Sequence, residues 1–203
     1  MSRHSHVLAA LALAASSAAL TTTAHAQVTV GATAVIAPNA AIATTGALAV
    51  NEAAGLDNAQ GNQLSITSGG SVGNVNLDEQ GALVRARLGN ASALIGSGAF
   101  GNTSGATMVN QAAGVGNIQR NSAQIGTGVL GVALLSDGEL AAVSATNGGM
   151  GNQAGQAGGI REVRIDDVAF RNATGLVQVN QTAGAGNATA NSFVLRPPAG
   201  TLF

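Results

Sequence analysis

Adjacent carboxylates are the side chains of this sequence that come nearest to a catalytic or metal-binding pattern. Asp78-Glu79 and Asp166-Asp167 resemble the carboxylate pair of a glycosidase, and Asp137-Gly138-Glu139 and Asp166-Asp167 offer the oxygen ligands that calcium prefers. Neighbouring residues of a strand point to opposite faces, however, and the chain has no aromatic platform for a sugar. Neither acidic cluster has the spacing of an EF-hand or of a calcium-binding nonapeptide. The sequence therefore predicts neither a hydrolase nor a metal site.

The chain from residue 27 onward lacks the side chains that most enzymes use. All three histidines (His4, His6 and His25) precede that point, and the sequence contains no Cys, Trp, Tyr or Lys. A His base, a Cys thiolate or a Lys amine is the usual catalytic group, and zinc and copper usually need His or Cys. Seven arginines against nine carboxylates give this part a formal net charge of −2, with no excess of positive charge for phosphates. We expect no enzymatic activity, no cofactor, no small-molecule substrate and no nucleic-acid partner.

Residues 1–26 have the pattern of a secretory signal peptide. A polar start with Arg3 precedes an apolar run from Val7 to Leu20, and Ala24-His25-Ala26 is a typical cleavage signal. The alternative, a membrane anchor, is disfavoured because the run is too short to span a bilayer. We therefore expect the secreted chain to begin at Gln27.

A single motif occurs three times in the rest of the chain and organises it. The copies begin at Val50, Val109 and Val179 and share the pattern V-N-[E/Q]-x-A-G-x-[G/D]-N-x-x-x-N. The third copy follows the second at an offset of 70 residues, which holds from Phe100 and Phe170 onward, and the first copy lies 59 residues before the second. A recurring unit of this length is typical of stacked repeat proteins.

The repeats suggest a division of the chain into three parts. Residues 1–26 form the signal peptide, residues 27–43 an N-terminal strand segment, and residues 44–203 the repeat domain. Within the repeat domain the motif copies are 44–66, 103–125 and 173–195, separated by spacers at 67–102 and 126–172. Strands are also expected within the spacers, at residues 83–88 and 161–167, where charged and apolar residues alternate.

Each motif copy reads as a strand, a tight turn and a second strand. Gly and Asn at the centre tolerate a positive φ, and apolar residues alternate in both arms. In the second arm, Asn121 shares a face with Ile125, and the other two copies repeat this arrangement. The prediction is an all-β, repeat-built β-solenoid or a set of cross-β strand-turn-strand arches; the alternative is a sandwich-like stack of antiparallel strands.

The asparagines on the apolar face suggest how the repeats are held in register. A buried amide without a partner costs about 1–3 kcal/mol, whereas amides of stacked repeats can hydrogen-bond one another in a ladder. Asn62, Asn121 and Asn191 are predicted to stack in this way, while for Asn58, Asn117 and Asn187 a turn role and a ladder role both stay open. The candidate stacking and turn residues are Asn51, Gly55, Asn58, Asn62, Asn110, Gln111, Gly114, Asn117, Asn121, Asn180, Gln181, Gly184, Asn187 and Asn191.

The motifs resemble the repeats of bacterial functional-amyloid subunits. The stretches that begin at Asn110-Gln111 and Asn180-Gln181 are similar to repeats of the Fap fibre subunits, and more distantly to those of curli. The chain departs from some Fap components in lacking a terminal C-x-x-C, and from curli in its long spacers. The resemblance covers the three motifs and not the spacers.

This resemblance implies a secreted structural protein. It implies export through an outer-membrane machinery, polymerisation with itself and possibly with related subunits outside the cell, and a role in biofilm or surface adhesion. The alternative function is a monomeric secreted or surface-tethered adhesin, in which the same repeats form a finite β fold and the spacers form the contact surface.

Overall fold

The computed structural model describes residues 29–68, 80–83, 86–127, 144–146 and 159–195. The predicted signal peptide, the acidic residues Asp78-Glu79 and Asp137–Glu139, and most of both spacers lie outside these residues. The described residues contain strands and turns, and no helix among them could cross a membrane.

Eleven strands make up the described part of the chain. They are β1 (Thr29–Ile36), β2 (Thr45–Leu56), β3 (Ala59–Ser68), β4 (Gly81–Leu83), β5 (Arg87–Ile95), β6 (Ser104–Val115), β7 (Ile118–Thr127), β8 (Ser144–Thr146), β9 (Arg161–Ile165), β10 (Thr174–Ala185) and β11 (Ala188–Leu195).

Nine of these strands form three layers and three rungs. The first sheet has the order β1-β5-β9, the central sheet β2-β6-β10 and the third sheet β3-β7-β11, while β4 pairs with β8. Successive strands along the chain pass from one sheet to the next, so that β1-β2-β3 form rung 1, β5-β6-β7 rung 2 and β9-β10-β11 rung 3. The predicted all-β, repeat-built solenoid is confirmed.

All strand pairs in these sheets are parallel and follow the sequence offsets. Asn51 pairs with Asn110 and Asn110 with Asn180, and the pairing holds along the full length of the central strands. Paired strands belong to different rungs and run in the same direction, whereas the two arms of one motif lie in different sheets. The alternative of an antiparallel sandwich is therefore wrong.

A core lies between the first and the central sheet. Ile36 and Ile95 of the first sheet pack with Val109 of the central sheet, and Leu48, Val50 and Val179 lie against the same cluster. A second cluster of Ala32, Ala34, Ala91, Ala93 and Ala113 packs beside it, together with Leu88 and Val115. Alanine lets the sheets approach closely, which explains how a chain with so few aromatic residues builds a core.

Burial is greatest in rung 2, because it alone has a rung on each side. All residues of β6 from Ala106 to Val115 are buried, whereas β2 alternates between half-buried and exposed positions and most of β10 between buried and half-buried positions. The strands of rung 1 and rung 3 are the edge strands of their sheets.

A short arch joins the first sheet to the central sheet in each rung. Phe100 and Phe170 occupy equivalent places in two of these arches with φ near 59°, and Ala41 takes the same left-handed conformation in rung 1 (φ 53°). The two Phe rings stack with their centroids 4.9 Å apart and an interplanar angle of 17°. The repeating unit therefore includes the first-sheet strand that precedes each Phe.

The first-sheet strands come from regions that the sequence assigned to the N-terminal segment and the spacers. β1 lies within 27–43, while β5 and β9 lie within the two spacers. Of the strand predicted at 83–88, Leu83 ends β4, residues 84 and 85 lie outside the described residues, and Arg87 begins β5, which runs to Ile95. The strand predicted at 161–167 corresponds to β9.

Candidate assembly site

The carboxamide side chains of the motif meet between the central and the third sheet. The turn in each copy folds the second arm back over the first, so that the central-sheet asparagines (Asn51, Asn110, Asn180) face those of the third sheet (Asn62, Asn121, Asn191). All six belong to the set predicted from the sequence, and the structure brings all six together.

Asn121 shows how dense this network is. Its Nδ2 donates to Asn62 Oδ1 at 2.9 Å, to Asn110 Oδ1 at 3.0 Å and to the Val109 carbonyl at 3.1 Å. Its Oδ1 accepts from Asn180 Nδ2 at 3.0 Å and from Asn191 Nδ2 at 2.9 Å. The side chain is fully buried and uses both its donors and its acceptor, so the desolvation of the amide is offset by hydrogen bonds.

The turn asparagines form a second ladder from rung to rung. Asn117 Nδ2 and Asn187 Nδ2 each donate at 2.8 Å to the Oδ1 of the equivalent residue one rung down, Asn58 and Asn117 respectively. Asn58 Nδ2 also donates to the Ala54 carbonyl of its own turn at 3.2 Å. The structure therefore places Asn58, Asn117 and Asn187 in a ladder, and Asn58 also bonds its own turn.

The motif glycines allow the turns of neighbouring rungs to touch. Gly55, Gly114 and Gly184 have φ of 108°, 136° and 156°. A Cβ added at Gly114 would collide with the carbonyl oxygen of Gly184, and one at Gly55 with that of Gly114. Only glycine combines this backbone conformation with so close an approach.

A third ladder lies on the other face of the central sheet and involves Gln111, Gln181 and Glu52. Gln181 Nε2 donates to Gln111 Oε1 at 2.7 Å, and Gln111 Nε2 donates to Glu52 Oε2 at 2.8 Å. These side chains also bond the first sheet, since Gln111 Nε2 donates to the Leu94 carbonyl at 2.9 Å. Glu52 was absent from the predicted set, although the motif places it at the Gln position.

Gln60 and Gln119 are further ladder residues that the sequence analysis missed. Gln60 Nε2 donates to Gln119 Oε1 at 2.7 Å, and Gln119 Nε2 donates to Thr182 Oγ1 at 3.3 Å. Their spacing of 59 residues, equal to the offset of the first two motif copies, is the signal that would have found them.

The asparagine ladders and the Gln111 ladder have one polarity. In each, the hydrogen bonds between the side chains of successive rungs run one way: the amide N–H groups donate toward rung 1, and the amide oxygens accept from the side of rung 3. The turn asparagines also donate in the other direction, since Asn58 Nδ2 and Asn117 Nδ2 bond the carbonyls of Gly114 and Gly184 at 3.1 Å. Rung 1 therefore ends in amide nitrogens at Asn51 and Asn62, while rung 3 ends in amide oxygens. In the ladders through these asparagines, the two ends of the stack are complementary to each other and not to themselves.

Charged groups are sparse around the ladders, and the carboxyl group with a shifted pKa, Asp166, lies in the arch of rung 3. The Val168 N–H donates to Asp166 Oδ1 at 3.2 Å, and this hydrogen bond lowers the pKa of Asp166 below its ordinary value. Hydrogen bonding with Ser97 and Asp167 and the charge of Arg164 act in the same direction. No cluster of His, Cys, Asp or Glu in the described residues could hold a metal ion.

An apolar groove of about 530 Å³ opens between the central and the third sheet, beyond the asparagine ladders. Its lining repeats from rung to rung: Ala47, Ala106 and Leu176 on one wall, and Ile66, Ile125 and Leu195 on the other. The groove therefore runs along the direction in which the rungs stack.

Comparison with known proteins gives one result that bears on function. The model of the functional amyloid protein FapB/FapC family matches residues 11–198, a range that contains all three rungs. No solved structure matches the chain.

Proposed function

Because this chain belongs to the functional amyloid protein FapB/FapC family, we propose that it is a secreted structural protein that assembles with itself into extracellular fibres. The fibres would support biofilm or attachment to surfaces. The predicted signal peptide at residues 1–26 fits an exported chain, and an outer-membrane export machinery and related fibre subunits are its proposed further partners.

The complementary ends of the three-rung stack are the observation that carries this proposal. Asn180 Oδ1 accepts from Asn191 Nδ2 within rung 3, and its equivalent in rung 2, Asn110 Oδ1, also accepts from the rung above. In rung 1, Asn51 Nδ2 has no equivalent beneath it among the residues that the structure describes. A second copy, stacked with its rung 1 on rung 3 of the first, would continue both asparagine ladders without a change of register.

The sheet edges favour the same head-to-tail arrangement. β2 and β3 at one end and β10 and β11 at the other are edge strands with an unpaired row of backbone groups. Soluble proteins usually protect such edges, because they pair with other chains. In a fibre the edges of one copy pair with the next, so the same feature becomes the means of growth.

Gly46 offers a direct test of this stacking. A Cβ at Gly105 would meet the carbonyl oxygen of Gly46, and one at Gly175 that of Gly105, whereas a Cβ at Gly46 meets no atom within 4 Å. In a head-to-tail stack it would meet Gly175 of the neighbouring copy. Gly46→Ala should therefore add to one end of a preformed fibre through its intact rung 3 and then block that end.

The experiment is seeded elongation of residues 27–203, imaged at both fibre ends, with Gly31→Ala as the matched control. Gly31 also has open space around its Cβ position but lacks a positive φ. We expect Gly31→Ala to elongate seeds like the unsubstituted chain. Gly46→Ala, added in excess over the unsubstituted chain, should stop elongation by that chain at one fibre end only. Elongation by Gly46→Ala at both ends would contradict head-to-tail stacking, and a chain that stays monomeric would favour the adhesin alternative.

A further inference from the structure

One of the ladders is not complementary at the two ends of the stack. The ladder through Gln111 continues upward to Gln181, but its residue in rung 1 is Glu52. Glu52 Oε2 accepts from Gln111 Nε2 at 2.8 Å, and Oε1 accepts from the Val35 N–H at 2.7 Å. Glu52 thus places an oxygen where Gln111 and Gln181 have an N–H donor.

At the opposite end, the same ladder stops at an oxygen that lacks a donor. Gln181 Nε2 donates to Gln111 Oε1 and to the carbonyls of Ala93 and Arg164, whereas Gln181 Oε1 is buried and has no hydrogen-bond partner. Its equivalent in rung 2, Gln111 Oε1, accepts from the rung above. The free oxygen is therefore the position at which the next copy must supply a donor.

Head-to-tail stacking would bring these two groups together. An ionised carboxylate only accepts hydrogen bonds, so Glu52 of one copy and Gln181 Oε1 of the next would meet as two acceptors. A protonated carboxyl has one O–H donor and still has acceptor capacity for Gln111 Nε2.

We propose that each junction between two copies takes up one proton, which Glu52 Oε1 holds and donates to Gln181 Oε1 of the neighbouring copy. This inference rests on the proposed head-to-tail assembly. If each junction takes up a proton, fibres grow faster in acid than at neutral pH. The rung 3 end then binds a rung that has an O–H or N–H donor at the position of Glu52.

No charged group of the described strands is placed to neutralise Glu52 instead. β1, β3, β6 and β10 carry no charged residue, and Arg87 of β5 pairs with Thr29, at the far end of β1 from Val35. Arg120 lies on β7, in the third sheet, on the other side of the central sheet. Asp57 lies in the turn after β2, five residues from Glu52 along the chain, and would add only negative charge.

The charged residues of β9 would approach from the neighbouring copy, and they also fail to pair with Glu52. Arg164 and Glu162 are equivalent to Val35 and Thr33, whose side chains lie on the exposed face of the first sheet. Arg161 lies three positions from Arg164, and its guanidinium already donates to the carbonyls of Leu88, Gly89 and Ile160. Among the described residues, no cation is therefore placed to compensate the Glu52 carboxylate at the junction.

The test compares seeded elongation of residues 27–203 between about pH 4 and pH 7, a range over which carboxyl groups lose their protons. For the unsubstituted chain we expect the elongation rate to fall by about tenfold or more across this range, the factor expected for one lost hydrogen bond to a buried polar group. Glu52→Gln restores an N–H donor and should elongate at pH 7 as fast as the unsubstituted chain does at pH 4.

Asp57→Asn is the matched control, because it removes one carboxylate from the same rung and Asn tolerates the positive φ of that position. It should keep the pH profile of the unsubstituted chain. An unchanged pH profile in Glu52→Gln, or a flat profile in the unsubstituted chain, would overturn this inference while the fibre function stands. Absence of fibres from all three proteins at every pH would overturn the proposed function and this inference with it.

Discussion

The carboxamide side chain is the chemical group on which this molecule depends. It donates through its nitrogen and accepts through its oxygen, so a row of amides in a parallel stack acquires a direction. Each hydrogen bond contributes only about 1 kcal/mol net, but each buried amide without a partner costs about 1–3 kcal/mol. The ladders therefore penalise any shift of register more than they stabilise the correct one.

Asn121 should be the most sensitive of the ladder positions, because it is fully buried between two rungs. Asn121→Leu removes four side-chain hydrogen bonds, those donated to Asn62 and Asn110 and those accepted from Asn180 and Asn191. Asn180 and Asn191 keep other acceptors, Asn110 Oδ1 and the Val179 carbonyl. We expect a loss of several kcal/mol in the free energy of unfolding, from the lost hydrogen bonds at about 1 kcal/mol each. Chemical denaturation of the soluble chain measures this loss.

Ser122→Ala is the control for Asn121→Leu, since Ser122 is also buried but lies on the other face of β7. Its effect should be smaller, and it should leave the rate of fibre formation nearly unchanged. The same contrast is expected between Asn191→Leu and Ser192→Ala. Equal losses from the Asn and Ser substitutions would mean that the asparagines do not hold the rungs in register.

Sequence spacing was sufficient to identify most of these residues. Asn62, Asn121 and Asn191 stood out because a polar residue recurred on an apolar face. Glu52 could not be identified in this way, because the importance of a Glu at a Gln position of the motif depends on which rung it occupies, and only the structure shows that. The oxygen of Gln181 that lacks a donor was not predicted for the same reason, since an end position can be recognised only once the stacking order is known.

The rung is the element from which the fold is built, and the sequence predicted its two motif strands but placed the first-sheet strand outside the repeat, in the N-terminal segment or a spacer. The motif arms are recognisable because their side chains are fixed on both faces, by amide ladders together with apolar packing. The first-sheet strand requires only small or apolar residues at alternate positions facing the core, such as Ala34, Ala93 and Val163. Many sequences satisfy so weak a pattern, so β1, β5 and β9 show no common motif.

The Phe stack should stabilise the arches of rungs 2 and 3. Phe100 is almost completely buried and stacks on Phe170, so Phe100→Ala should lower the free energy of unfolding by about 3–5 kcal/mol, as large-to-small core substitutions of this type do. Phe193→Ala, in the wall of the open groove, should cost less. Denaturant titration of both variants tests this order, and a larger loss from Phe193→Ala would contradict it.

The arch of rung 3 should weaken in strong acid. The lowered pKa of Asp166 means that its carboxylate stabilises the folded arch at pH values above the ordinary range of aspartate. This contribution is lost as the pH falls below that range, through the lowered pKa. Hydrogen exchange of the Val168 amide, corrected for its intrinsic rate, should therefore lose protection in this window. Asp166→Asn, which cannot titrate, should show no such change; a similar loss there would contradict the assignment.

The whole molecule is a short stack whose two ends resemble its interior. Stacked repeats are stabilised by contacts between neighbours, so an internal rung is more stable than an end rung. Rung 2 shows the buried state, and rungs 1 and 3 would reach it only when another copy covers them. The fold thus favours growth by addition of whole chains, each of which contributes three rungs. The spacing of the motifs alone does not predict this, because it does not show how the strands are ordered in the sheets.

Mass per length of the fibre, measured together with its axial spacing, tests this account most directly. Parallel rungs stack at about 4.8 Å, so fibre diffraction should show that spacing, and three rungs per chain give one chain for about every 14 Å of fibre axis. Scanning transmission electron microscopy of unstained fibres measures this ratio. The account predicts one chain per about 14 Å, and one chain per about 4.8 Å would contradict it, because each copy would then supply a single layer.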